Sequence, residues 1–217
     1  ANDLVNNDSN NNGDSFIYDQ TTGIISLVSV NSNANSAPGY VNADGRYVIY
    51  SSASNTIVPG VSSPNSVFLL DRQTGITTHA SPSWNGQVVN ASKIRPSIAD
   101  DGRYVVFQSN ASNLAGAGLG YSQIYLHDRQ TAQTSMISVA LGGASAGVGS
   151  STSPSISADG RYVAFTSEAT NLTALATTNT RDMFVYDRQL GQMTQVSRTV
   201  NGTSANALTT AGNISAD

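Results

Sequence analysis

The sequence predicts an all-β chain, a β-propeller built from four-stranded antiparallel blades with a repeat of about 57 residues. Three observations carry that reading. Asp-Gly-Arg-Tyr-Val recurs from Asp44, Asp101 and Asp159, at spacings of 57 and 58 residues, and the sequence reaches Asp217 one further spacing on. A second column ends in Asp19, Asp71, Asp128 and Asp187, each closing a short apolar run such as Phe184-Val185-Tyr186, and three of the four are followed by Arg-Gln. Between these landmarks no stretch of about ten residues keeps a helical period, which argues against parallel strands joined by helices.

Within one repeat the elements follow in order. The first strand, for example Pro154 to Ser157, stops at the Asp-Gly pair, because Asp-Gly between apolar runs supplies the positive φ of a tight hairpin. The second strand is Arg161 to Ser167, with Tyr162 and Ala164 on one face and Val163 and Phe165 on the other. The third is Met183 to Asp187, and a turn at Gly23, Gly75 or Gly191 leads into the fourth, such as Met193 to Ser197. Both faces are apolar, so each sheet is expected to be covered on both sides. Serines at 29, 81, 138 and 197, and asparagines at 55, 113 and 171, form further columns. Repeated four-stranded sheets buried on both faces are the blades of a propeller.

The segments SADGRYVAF (Ser157 to Phe165), Asn171-Leu172 and FVYDRQ (Phe184 to Gln189) resemble the WD40-like PD40 repeat of TolB-like β-propellers, of secreted bacterial type. The resemblance extends over the whole chain. It implies a single propeller segment over 1–217: a partial blade at 1–33, blades at about 34–90, 91–147 and 148–206, and the first strand of a further blade at 207–217. On that division the residues are expected to be an excerpt of a larger propeller. The alternative is that open ends complete a blade with a second subunit, since an unpaired strand edge is a template for addition.

Composition narrows the function. Only 11% of residues are charged, Lys and Arg number 10 against 14 Asp and Glu, and no basic run exists, which excludes a phosphate-neutralising nucleic-acid interface. No apolar stretch approaches the roughly 20 residues of a membrane helix. Cysteine is absent, so there is no disulfide framework and no thiolate site. Glu168 is the sole Glu and Lys93 the sole Lys, while Asp, Asn, Ser, Thr and Gly abound, a bias toward turns and strands rather than helices. This low-charge, cysteine-free composition is expected of an extracellular or cell-surface protein.

The sharpest chemical motif runs from Asp8. Asp8, Asn10, Asn12 and Asp14 place oxygen donors at alternate positions, Gly13 occupies the sixth place and Asp19 the twelfth, a pattern suited to Ca²⁺. Asp at the twelfth place and the strand that follows depart from an EF-hand, and the loop resembles calcium loops inserted in other propeller blades. The opposing reading is an Asn/Asp-rich turn, and Asp19 also belongs to the Asp71, Asp128 and Asp187 column. The equivalent loops of the other repeats lack the ligands, so one site is expected. Arg46, Arg103 and Arg161 recur at the hairpin and are expected to pair with Asp71, Asp128 and Asp187 rather than to form a ligand ring. His127 stands where Tyr18 and Tyr186 stand and reads as a core substitution. Neither a nucleophile elbow nor a phosphate loop is present. The expectation is therefore no catalytic residues and no enzymatic activity. Trp84, the single Trp, and Asn85 lie in a long inter-blade loop and are the candidates for a protein or glycan ligand. The resulting expectation is a binding or scaffold module, stabilised by Ca²⁺. The alternatives are a structural subunit that self-associates into a surface layer or fibre, and a propeller appendage of a secreted hydrolase.

Overall fold

A computed structural model describes residues 4–6, 8, 10–61, 64–83, 89–115, 120–143, 145–175, 181–203 and 214. It is all-β. Strands β1 (Phe16–Asp19) and β2 (Ile24–Leu27) form a two-stranded hairpin. Three four-stranded antiparallel sheets follow in chain order, each a meander. They are β3 (Ser36–Val41) to β6 (Ile76–His79), through β4 (Tyr47–Ser52) and β5 (Ser66–Asp71); β7 (Lys93–Ile98) to β10 (Gln133–Met136), through β8 (Tyr104–Ser109) and β9 (Gln123–Asp128); and β11 (Ser151–Ile156) to β14 (Gln192–Gln195), through β12 (Tyr162–Ser167) and β13 (Asp182–Asp187). Among the described residues the sheets form an open row and do not close into a ring.

Strand alternation decides which side chains meet. On β12, Val163 and Phe165 face the preceding sheet; on β8, Val105 and Phe107 do the same while Val106 turns the other way. One apolar cluster therefore lies between the hairpin and the first full sheet, around Tyr50 and Phe68; a second fills the next seam around Phe107 and Tyr125; a third fills the last around Phe165 and Phe184. In each sheet the second and third strands place two rings directly opposite, Tyr50 on Phe68, Phe107 on Tyr125 and Phe165 on Phe184, with centroids 5.7, 5.9 and 5.9 Å apart. Cross-strand ring pairs of this kind add to the burial that already holds the sheets face to face.

The turns explain their residue types. Gly23, Gly75 and Gly191 carry positive φ between the third and fourth strands, and Ala132 takes the same conformation in the remaining sheet. The first strand of each full sheet is the inner one of the row, and all three are bulged in the middle, between Pro38 and Val41, Ile94 and Ser97, and Thr152 and Ser155, the first one residue further on than the other two. Pro38, Pro96 and Pro154 sit at these bulges, as expected of strands with one unpaired edge. Ile214 N donates to Ser155 Oγ (3.3 Å) as Ile156 N donates to Ser97 Oγ (3.4 Å), so residue 214 continues the inner row.

Candidate functional site

The recurrent charged residues are structural. Arg46, Arg103 and Arg161 each grip the Asp at the end of the neighbouring third strand through Nε and Nη2, with closest contacts of 2.8, 2.7 and 2.7 Å to Asp71, Asp128 and Asp187. Each guanidinium also lies over the ring of the following Tyr, at 4.6 to 4.8 Å. Arg72, Arg129 and Arg188 donate to the carbonyls of Gly45, Gly102 and Gly160 in the hairpin turns. The pairing expected from sequence is thus what the structure shows.

These contacts, the buried His127 and the half-buried His79 make stability fall with acid in two stages. Hydrogen bonds from the arginines hold the Asp71 and Asp128 carboxyls at about 2, and lower that of Asp187. Burial pushes His79 down to about 3 and His127 to about 4. His127 Nδ1 is 3.0 Å from Thr134 Oγ1, whose own hydrogen goes to Pro82 O, so Nδ1 carries a hydrogen and is the donor. In both classes the unfolded chain binds more protons, so stability drops as pH falls: first below about 6.5, as unfolded histidines charge, and again below about 4, as unfolded carboxylates protonate. Melting temperatures across pH 8 to 3 are expected to show both declines. His127→Tyr, which places there the Tyr found at positions 18 and 186 of its column, is expected to shrink the first decline and leave the share that His79 contributes; a parent curve level from pH 7 to 4.5 would overturn the assignment.

The calcium motif is only partly brought together. Asp8 is buried and Asp14 half-buried, and Asn10 Oδ1 accepts from Asn12 N at 2.7 Å, folding the loop on itself. Asn12 Nδ2 donates to Asn10 O, so its amide nitrogen is turned into the loop. Asp19 lies apart in function: its Oδ1 accepts from Thr21 N and Thr22 N (2.9 and 3.1 Å), as the Oδ1 of Asp71, Asp128 and Asp187 does in their turns. Among the described residues no three His, Cys, Asp or Glu side chains converge. Trp84 and Asn85 lie outside the described residues.

One candidate residue was missed by sequence reading. Arg95 sits in the bulge of β7 with φ of 52°, a left-handed conformation unusual for a non-glycine residue. Ser153, one repeat on, has φ of 56°. Arg95 is exposed and borders two clefts. One, of about 260 Å³, runs along the inner strands between Pro38, Tyr40, Pro96 and Ser153; the other, of about 480 Å³, lies beside Ser36, Ser51, Asn65 and Ile94. Every other described arginine donates to a carboxylate or a carbonyl, whereas Arg95 makes no such contact among the described residues. The available signal was an Arg inside a Pro-flanked first strand, at a place filled by Pro38 and Ser153 in the other repeats.

No family model and no curated protein matches the chain. Solved structures do. A protein described as TolB from Agrobacterium tumefaciens superposes with a TM-score of 0.53 at 18% identity, over 83% of this chain and 55% of that one. The tricorn protease matches with 0.47 at 17% identity over 79% of this chain and 15% of its own, and an oligogalacturonate lyase from Vibrio parahaemolyticus with 0.48 at 11% over 83% and 45%. The likeness is of fold: an all-β chain of four-stranded antiparallel sheets with TolB-like neighbours. The chain spans about half the length of the TolB structure it matches. The expectation of no enzymatic activity is corrected here, because proteins named as a protease and a lyase stand among the similar structures. The described residues hold no helix long and apolar enough to cross a membrane.

Proposed function

We propose that this chain is an extracellular binding and scaffold module, part of a TolB-like propeller, whose recognition surface is the inner-strand cleft and whose anchor is Arg95. The observation that carries this reading is an exposed Arg95 held at a strained backbone position, with no anionic partner among the described residues. Every other described arginine is consumed in pinning the fold. Strain at a non-glycine residue persists where the surrounding structure over-determines it, and such positions cluster at ligand-binding places. A planar fork of donors suits a carboxylate, so the partner is an acidic protein segment or a carboxylated glycan. Pro38, Pro96 and Pro154 beside it form a stiff, apolar wall, so little is lost to ordering the site.

The test is a panel of acidic peptides and uronate-bearing oligosaccharides against the immobilised chain at two salt concentrations. Binding is expected to weaken with salt, and Arg95→Ala to lose about tenfold or more, the scale of one charge-assisted hydrogen-bonded pair. Arg95→Lys is expected to recover only part, because it cannot form the bidentate contact. Loss of binding in Trp84→Ala with Arg95→Ala unaffected would instead assign recognition to the long loop containing Trp84 and Asn85.

A further inference from the structure

Each seam between consecutive sheets carries a polar side chain at the start of a third strand, and the chain satisfies it differently each time. At the last full seam this is Gln123, whose Oε1 accepts from Ser138 Oγ (2.5 Å) and whose Nε2 donates to the carbonyls of Gly147 and Gly149 (3.0 and 3.3 Å). One seam earlier the position is Ser66, and the wholly buried Lys93 brings Nζ to 3.4 Å from its Oγ. A donor group, amide or ammonium, therefore fills both seams.

At the first seam the position is Asp14. Its Oδ1 accepts from Ser29 Oγ (2.5 Å), the same bond that Ser138 gives Gln123, but Oδ2 is buried without a hydrogen-bond partner among the described residues. Asp8 is 5% exposed, and neither of its carboxylate oxygens has a partner among the described residues. Buried polar side-chain atoms without a hydrogen-bond partner among the described residues gather here: both oxygens of Asp8, Asp14 Oδ2 and Ser15 Oγ. Buried carboxylates without a counter-charge are costly, and native proteins pair them or place them on a metal. The loop is otherwise firmly docked on the next sheet: Asn10 Nδ2 donates to Ser32 O (3.0 Å), Gly13 N to Asn35 Oδ1 (2.7 Å) and Ser36 N to Gly13 O (2.6 Å).

We propose that Asp8 and Asp14 are the charged ligands of one hard divalent cation of the calcium class. The ion does at this seam what the Gln123 amide and the Lys93 ammonium do at the others, and it ties the loop to the first full sheet. The ligand set differs from the one read from spacing alone: Asp19 is occupied in its own turn and takes no part, and Asn12 shapes the loop through its backbone.

The experiment uses the 217-residue chain stripped of metal, titrated with calcium chloride by calorimetry and followed by thermal melting. One saturable site and a rise in melting temperature are expected, with magnesium weaker because it needs stricter octahedral geometry. Asp8→Asn and Asp14→Asn are each expected to weaken calcium binding by at least about tenfold, since one full ligand charge is lost. Asp19→Asn leaves it unchanged. In chelator Asp8→Asn is expected to melt at or above the parent, because it removes an uncompensated charge, and in calcium below it. Absence of calcium binding by the folded parent, or binding that Asp8→Asn and Asp14→Asn leave intact, overturns the proposal.

Discussion

Phe165→Ala is expected to lower unfolding stability by about 3 to 5 kcal/mol, the range for truncating a buried aromatic side chain. Phe165 is 1% exposed, stacks across the sheet on Phe184, and belongs to the cluster that joins two sheets rather than to one sheet alone. The substitution removes ring contacts on both sides of the seam, and the two sheets cannot close the cavity without breaking the register of β12 with β13. A urea titration is the direct measurement, with the midpoint expected to fall while the slope stays constant. Leu190→Ala, at a turn residue 62% exposed, is the control and is expected to stay within about 0.5 kcal/mol of the parent. A loss below about 1 kcal/mol for Phe165→Ala would mean that the sheets do not bury each other's faces.

Most of the fold was legible because the sequence states it several times. A column seen at Phe68, Tyr125 and Phe184 cannot be a chance apolar residue, and Arg103 with Asp128 is one instance of a pair that recurs with Arg46 and Asp71. Residues that occur once were harder. Arg95 carries no period, and its importance comes from a bulge whose backbone conformation no residue pattern announces. Asp14 was legible only in part. Its spacing from Asp8 suggested a cation loop, and alignment of the third strands also puts it in the column of Ser66, Gln123 and Asp182, where its Oδ1 accepts from Ser29 Oγ. Asp19 is engaged in its own turn, where its Oδ1 accepts from Thr21 N and Thr22 N. Contacts between repeats were invisible for the plainest reason: partners such as Ser97 and Ile156 lie 59 residues apart, and nothing in either strand names the other.

Gly102 shows how such a contact hides inside a familiar motif, and Gly102→Ala is expected to be among the most damaging small substitutions in the chain. As a hairpin residue Gly102 needs only its φ of 72°, which costs an alanine about 1 to 2 kcal/mol. A Cβ there would also lie 2.5 Å from Cε2 of Tyr47, because the ring from the preceding sheet rests on this turn; Gly160 receives Tyr104 in the same way. The glycine is therefore also the socket for the tyrosine three positions after the preceding Asp of the same motif, so Asp-Gly-Arg-Tyr-Val joins one sheet to the next as well as turning a hairpin. Displacing the Tyr47 ring also disturbs the Arg46 guanidinium that lies over it and pairs with Asp71. Overpacking adds about 1 to 3 kcal/mol to the conformational term. Gly75→Ala separates the two contributions, since Gly75 has the nearly equal φ of 71° and open space where its Cβ would stand. Denaturant titration is expected to give a loss for Gly102→Ala exceeding that for Gly75→Ala by about 1 to 3 kcal/mol. In the Tyr47→Ala background that excess is expected to disappear, a coupling that a double-mutant cycle reads directly. Equal losses at the two glycines would show that the motif serves the hairpin alone and that the sheets are joined only by their apolar faces.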